Sequence, residues 1–203
     1  ARNGGCGRVV FASSAAVYGN GPEMPKVEGL SPTPESPYAL TKLDGERYLR
    51  MLGPLWGFAT TAVRFFNVFG PRQNIATGYA AAVPNFCSLA ARGKEIRIYG
   101  DGEQTRDFVY VEDLVSALHH LACTGVHSGI YNVGYGESLT INSLAKSIIE
   151  MSGSSSKITY DVERPGDVRH SLADVARLRA TGWKATVGMQ DGLMRTIGFH
   201  ANS

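Results

Sequence analysis

Val9-Val10-Phe11-Ala12-Ser13-Ser14-Ala15-Ala16-Val17-Tyr18-Gly19, followed after a loop by Ser36-Pro37-Tyr38-Ala39-Leu40-Thr41-Lys42, is the stretch whose reading decides the fold. Residues 9–12 form a short apolar run bounded by Gly and Ser, as a buried parallel strand would be. Residues 19–37 are rich in Gly, Pro, Glu and Ser and read as a long surface loop. Pro37 then opens a helix over 38–52, where proline is tolerated in the first turn, and Gly53-Pro54 stops it. Strand, loop and helix make one α/β unit. On that helix Tyr38 and Lys42 share a face, about 6 Å apart at Cβ. An ammonium in that position lowers a phenol's pKa from about 10 towards neutrality. A tyrosine so tuned can act as a general base on a hydroxyl, and a serine at the neighbouring strand end can share the proton. The pentapeptide taken alone reads first as a chance pair on an amphipathic helix, and the rest of the chain reverses that.

Working outward, residues 59–66 (Ala-Thr-Thr-Ala-Val-Arg-Phe-Phe) are β-branched and aromatic and predict a second core strand, left by a turn at 67–73. A helix over 80–92 and a strand over 96–99 follow. Asp101-Gly102 turns the chain into an extended segment at 108–111. Glu112 and Asp113 cap a helix running to residue 123, with acids at the positive end of its dipole. A strand at 130–133, a helix over 141–151 capped by Thr140, a strand at 157–160 and two short helices near 173–180 and 190–199 complete the chain. This alternation argues an open α/β sheet with helices packed against it.

Composition excludes several classes. Over 203 residues the formal net charge is +2, and no basic run points to nucleic acid or a membrane surface. Cys6, Cys87 and Cys123 are widely spaced and odd in number, so they read as reduced thiols of a cytoplasmic protein and not as a disulfide framework or zinc site. His119, His120 and Cys123 share a helix, but their spacing makes no convincing zinc set, and no metal is expected. No segment approaches eighteen uninterrupted apolar residues. The chain opens Ala1-Arg2-Asn3-Gly4 and almost at once enters a strand, which reads as a chain joined in progress.

Dinucleotide-binding sheets hold a pyrophosphate on a Gly-rich strand-to-helix turn. Gly4-Gly5-Cys6-Gly7 is the nearest match, but it precedes a strand instead of following one, and no acidic ribose reader can be placed after it. Yet other motifs run in order: Ser13-Ser14 to Gly19, Ser36-Pro37-Tyr38 with Lys42, Arg64-Phe65-Phe66-Asn67 to Arg72, Tyr99-Gly100-Asp101-Gly102-Glu103-Gln104-Thr105-Arg106 to Asp113, Tyr131-Asn132-Val133-Gly134, and Arg164-Pro165-Gly166-Asp167. In this order the chain resembles the extended short-chain dehydrogenase/reductase family, and within it the NAD-dependent nucleotide-sugar epimerases of the UDP-glucose 4-epimerase kind. The resemblance runs from end to end but lacks the family's first half. It implies the C-terminal part of a Rossmann-like parallel sheet plus a small α/β substrate-binding domain. Residues 1–75 would be a partial dinucleotide-binding domain, and 76–203 mainly the substrate domain.

Carried over position by position, the resemblance implies Tyr38 as base, Lys42 as its activator and holder of the nicotinamide ribose, and Ser14 as the hydroxyl orienting the reacting sugar oxygen. Phe66 would lie near the nicotinamide, and Asn67 would reach the diphosphate or sugar. Tyr99 would stack on the uracil with the backbone of Arg97 beside it. Arg106 and Arg164 would grip the diphosphate, and Asp167 the uridine ribose. Each has a plainer alternative. Arg106 next to Asp107 reads as a surface ion pair, Arg164 as a partner of Asp161 or Glu163, Asn67 as a turn residue, Tyr99 as strand filling, and Ser13 as a residue that packs or bonds backbone.

The implied reaction is C4 epimerisation of a UDP-hexose through a 4-keto intermediate, with NAD unchanged at the end. A neighbouring branch of the family dehydrates its sugar and carries acids before Val-Tyr-Gly. Here Ala15-Ala16 cannot do acid–base chemistry, which argues against a dehydratase and, less firmly, against a UDP-glucuronate decarboxylase. Ser171 aligns with a position where bulky residues exclude N-acetyl groups, so UDP-GlcNAc and UDP-GalNAc are expected to fit. The competing reading is a non-catalytic half-enzyme that binds UDP-sugar or a partner chain. Without a glycine loop the chain alone is expected to bind NAD weakly or not at all and to be inactive. The family pairs through the helix bearing Tyr38, which implies a homodimer.

Overall fold

The computed structural model describes residues 2–74, 81–125, 128–164 and 166–201. The predicted start of the second helix at residue 80, and Pro165 of the Arg164–Asp167 motif, lie outside them. The strands are β1 Arg8–Ser14, β2 Ala59–Phe65, β3 Asn67–Phe69, β4 Ile96–Tyr99, β5 Thr105–Tyr110, β6 Gly129–Val133, β7 Ser138–Thr140 and β8 Ile158–Asp161. The helices are α1 Pro37–Trp56, α2 Ala82–Ala91, α3 Val111–Cys123, α4 Ile141–Ser152, α5 Ala176–Arg179 and α6 Met189–Ala201.

The expected parallel sheet is present, in the order β1-β2-β6, with Val10 opposite Thr61 and Val63 opposite Tyr131. An apolar run in one and β-branched and aromatic residues in the other made both core strands legible. A second sheet pairs β3 parallel and β7 antiparallel to β5, and a third pairs β4 parallel to β8. The chain passes from the first sheet to the second at Phe66, whose N–H donates to the Val133 carbonyl at 2.9 Å. The carboxyl ends of β1 and β2 and the start of β3 therefore meet at one place. In open α/β sheets that is where ligands bind.

Three apolar clusters hold these layers. Phe69, Phe86, Ile96, Leu144, Ile148 and Leu193 pack α2, α4 and α6 against β4 and β5. Val63, Val109, Leu114, Leu121, Leu178 and Trp183 pack α3 and α5 against the first sheet. Val17, Tyr18, Leu43, Phe66, Ala173 and Val175 form a smaller core.

Several boundaries differ from expectation. Helix α1 runs through Gly53-Pro54 and stops at Gly57, which takes the left-handed conformation (φ 73°) and donates to the Gly53 carbonyl. Pro54 lies in the last turn, so its missing N–H costs one bond and breaks little. Strand β1 carries on to Ser14, and the turn expected after it is a short 3-10 helix, Ala15–Tyr18. Strand β5 begins at Thr105, and α5 is shorter than its predicted span. Strands β3 and β7, each three residues long, went unpredicted. Asp113 does not cap α3. Its carboxylate accepts from the N–H groups of Thr186 and Val187 and from the Thr186 hydroxyl, and so pins a distant loop.

Gly45 sits in the middle of α1, where alanine would normally add about 1 kcal/mol of helix propensity. A Cβ built there would fall 2.2 Å from Cζ of Phe11. The helix lies flat on β1 only because this side chain is absent. Gly45→Ala is therefore expected to destabilise by about 1–3 kcal/mol, as overpacking does. A rise in the thermal midpoint would contradict this close packing.

Candidate active site

Tyr38 and Lys42 stand on the first turns of α1, started by Ser36, whose hydroxyl accepts from the Ala39 N–H, and by Pro37. The Lys42 Nζ lies 5.5 Å from the Tyr38 ring centroid and donates to the Ala12 carbonyl at 3.0 Å. That bond ties the helix to β1 just before Ser14. Tyr38 is 56% exposed. The Ser14 hydroxyl ends β1 and accepts from the Ala16 N–H at 3.2 Å, which starts the 3-10 turn.

Two adjoining cavities make one cleft here. The larger, about 830 Å³, is lined by residues including Ser14, Phe66, Asn67, Arg106, Arg164, Asp167 and Ser171. The smaller, about 550 Å³, shares most of these and adds Tyr38, Arg97 and Tyr99. All the sequence-predicted site residues except Lys42 line this cleft, and Lys42 lies directly behind Tyr38. Asn67 also links β3 to β5, donating to the Asp107 carbonyl at 3.1 Å.

The arginines have partners the sequence did not show. Arg106 donates to Asp167 at 2.5 Å, and burial lowers its pKa against the pull of that carboxylate. It is not paired with Asp107, the alternative its neighbour suggested. Asp107 is fully buried, its carboxylate taking N–H bonds from Tyr135, Gly136 and Ala173. Arg164 lies 3.8 Å over the Tyr99 ring, a cation–π stack, while Asp161 is bonded by Arg97 at 3.4 Å.

Behind the cleft runs a polar network that sequence reasoning missed. Glu46 shares the face of Tyr38 and Lys42, two turns on, and both its oxygens are taken by Arg64, at 2.7 and 2.9 Å. Ser13, expected to pack or to bond backbone, is buried and donates to Glu46 at 2.5 Å. The Arg64 guanidinium stacks on Tyr18, whose hydroxyl donates to Asn132. Burial is the largest influence and opposes the Arg64 charge, but the Glu46 hydrogen bonds together with Tyr18 and the Glu46 charge outweigh it, and its pKa is raised. A lone acid following Tyr and Lys at the same helical spacing was the one available signal.

At the rim, Arg169 grips both oxygens of Asp101 at 2.9 and 2.8 Å and holds that carboxyl at about 2. A depressed acid pKa stabilises fully above the unfolded value, near 3.8, and the effect fades as pH falls towards 2. An NMR titration should show Asp101 ionised at about pH 3, and Arg169→Ala should return it to the ordinary carboxylate range. Titration near the ordinary value of about 4 in the unmodified chain would contradict the pair.

Among the described residues no group of three or more His, Cys, Asp or Glu could hold a metal, and no helix is long and apolar enough to cross a membrane.

Known proteins are similar to this chain in sequence and fold. A putative UDP-glucose 4-epimerase from Methanocaldococcus jannaschii is 34% identical over 197 residues, covering 97% of this chain and 64% of its own length. The UDP-N-acetylglucosamine 4-epimerase of Methanobrevibacter ruminantium, solved with UDP-N-acetylmuramic acid, superposes with a TM-score of 0.93 at 40% identity over 98% of this chain and 64% of its own. The UDP-glucose 4-epimerase of Thermus thermophilus, solved with NAD, gives 0.89 at 34% identity, covering 98% of this chain and 65% of its own. A UDP-N-acetyl-alpha-D-glucosaminuronate decarboxylase from Bacillus cytotoxicus is also similar, 35% identical over 202 residues, 94% of this chain and 62% of its own. The chain spans less than two thirds of the length of these relatives. Residues 1–134 match the NAD dependent epimerase/dehydratase family, and the chain belongs to that family.

Proposed function

We propose that these residues carry the substrate half of an enzyme that epimerises a UDP-hexose at C4. The observation that supports it most is the single cleft onto which Ser14 and Tyr38 open together with Arg106, Arg164 and Asp167. Hydroxyl chemistry and a pair of guanidinium groups thus face one ligand-sized space. Guanidinium forks suit a diphosphate, so Arg106 and Arg164 are its anchors, with Asp167 exchanging Arg106 for the ribose. Tyr99 takes the uracil face once Arg164 leaves it, beside the backbone of Arg97. Asn67 bonds the diphosphate or sugar.

Tyr38 accepts the proton of the 4-hydroxyl and later returns it, with Lys42 stabilising the phenolate and Ser14 holding the reacting oxygen. Lys42 and Phe66 would hold the nicotinamide end of NAD, which would supply a hydride acceptor and donor for C4. The residues present fit its nicotinamide end: Tyr38, open to solvent, with Lys42 and Phe66 beside it. Among the described residues no strand-to-helix turn is glycine-rich, so nothing here fits its pyrophosphate. Anchoring the nucleotide half while the sugar turns is a use of remote binding energy. The chain alone is expected to bind UDP-sugar without turning it over.

Ala15 and Ala16 line the cleft and carry no acid, which favours epimerisation over dehydration or decarboxylation. The small Ser171 in the same lining favours admission of N-acetyl sugars. Tyr48, Met51 and Leu55 project from α1 into solvent and suit a homodimer through that helix, in a cytoplasmic enzyme. Calorimetric titration of the chain with UDP tests the anchors. UDP is expected to bind, and Arg106→Ala to weaken it by about tenfold or more, as loss of a charge-assisted bond does. Equal affinity in the two proteins would remove the diphosphate from this cleft.

A further inference from the structure

Two polar ties hold α1 to the last residues of β1, and each falls beside a residue of the proposed reaction. The Lys42 ammonium donates to the Ala12 carbonyl at 3.0 Å, and one turn further along the helix Glu46 accepts from the Ser13 hydroxyl at 2.5 Å. Ser14 is the next residue of the strand, and Tyr38 lies one turn before Lys42 on the helix. Tyr38, Lys42 and Glu46 are each four apart, so one helix face carries the base and both ties. A helix tied at one point can still roll or slide about it. Tied at two points a turn apart, it can do neither. The Glu46 carboxylate is itself held, because Arg64 of β2 takes both its oxygens, at 2.7 and 2.9 Å, and the guanidinium stacks on Tyr18. Tyr18 ends the 3-10 turn that Ser14 starts, and its hydroxyl donates to Asn132 of β6 at 2.7 Å. The carboxylate is thus linked to all three strands of the first sheet.

Stability alone does not call for these ions. Desolvation of a buried pair offsets most of its attraction, and an apolar pair of similar volume holds as well. The helix also lies on β1 and β2 through Gly45 on Phe11 and Gly53 on Thr60. Apolar contact has no direction and tolerates a slip, whereas a short charge-assisted hydrogen bond does not. We infer that Glu46 is a positioning residue, which through Ser13 sets the separation of the Tyr38 hydroxyl from the Ser14 hydroxyl. This rests on the epimerase reading, in which both hydroxyls act on one sugar oxygen. A displacement of about 1 Å in such a pair costs on the order of 10²-fold in rate. The nucleotide anchors Arg106, on β5, and Arg164, after β8, belong to other elements and stay in place.

Steady-state kinetics with UDP-galactose test it, on the chain joined to the part of the Thermus thermophilus UDP-glucose 4-epimerase that its match leaves uncovered. Ser13→Ala cuts the link and leaves the ion pair. It should lower kcat about tenfold or more with KM within about twofold of the parent, and Ser13→Thr, which keeps a hydroxyl, should stay within about threefold in kcat. Glu46→Leu combined with Arg64→Met separates position from stability. It is expected to be more stable than Arg64→Met alone and yet about 10²-fold below the parent in kcat. If Ser13→Ala does not fold, as judged by circular dichroism, the double variant decides. Unaltered kcat in either folded variant, or a loss carried by KM, overturns the positioning role and leaves the epimerase reading standing. Absence of turnover in the unmodified joined protein overturns both.

Discussion

Arg64→Met is expected to destabilise the chain by about 3–5 kcal/mol, because it strands a buried carboxylate. Glu46 and Arg64 are 6% and 1% exposed, and two hydrogen bonds join them. Removing the guanidinium leaves Glu46 with the Ser13 hydroxyl as its remaining side-chain donor and takes away the cation stacked on Tyr18. The pair as a whole is worth much less than either half is costly to lose. Desolvation of both ions offsets most of their attraction, so a well-packed apolar replacement of both comes near neutral. Glu46→Leu combined with Arg64→Met should therefore recover most of the loss. Urea denaturation of the two variants checks both statements. A single variant within about 1 kcal/mol of the parent chain would mean that this network is not what holds α1 to the strands.

The second large effect is on chemistry. Tyr38→Phe should lower kcat about 10²- to 10⁴-fold, the usual worth of a general acid–base group. It should leave KM and the thermal midpoint nearly unchanged. The fold does not lean on this hydroxyl: Tyr38 is largely exposed, and the contact between its ring and Lys42 survives in phenylalanine. The assay needs a complete dinucleotide seat, so the chain is joined to the part of the Thermus thermophilus UDP-glucose 4-epimerase that its match leaves uncovered. A variant with unaltered kcat would remove Tyr38 from the reaction.

What was legible in the sequence follows from what leaves a periodic trace. The core strands of the first sheet are rich in apolar and β-branched residues and bounded by turn residues, so their composition marked them. The start of α1 was marked by Ser36 and Pro37. Its end was misplaced, since Gly53-Pro54 reads as a stop although the tertiary packing of Gly53 on Thr60 carries the helix on to Gly57. Strands β3 and β7 are too short for any period to show, and they exist because β5 lies between them. The cleft residues came from motif order. Their partners did not, because Arg106 with Asp167 and Asp107 with Ala173 join positions some sixty residues apart.

The most direct test of the epimerase reading follows the hydrogen at C4. The joined protein is supplied with NAD and UDP-galactose deuterated at C4, and the products are read by NMR. Epimerisation with hydride returned to the same carbon predicts UDP-glucose that keeps its deuterium, with no such product from the 203-residue chain alone. Loss of the label to solvent, or a deoxygenated product in place of UDP-glucose, would contradict it.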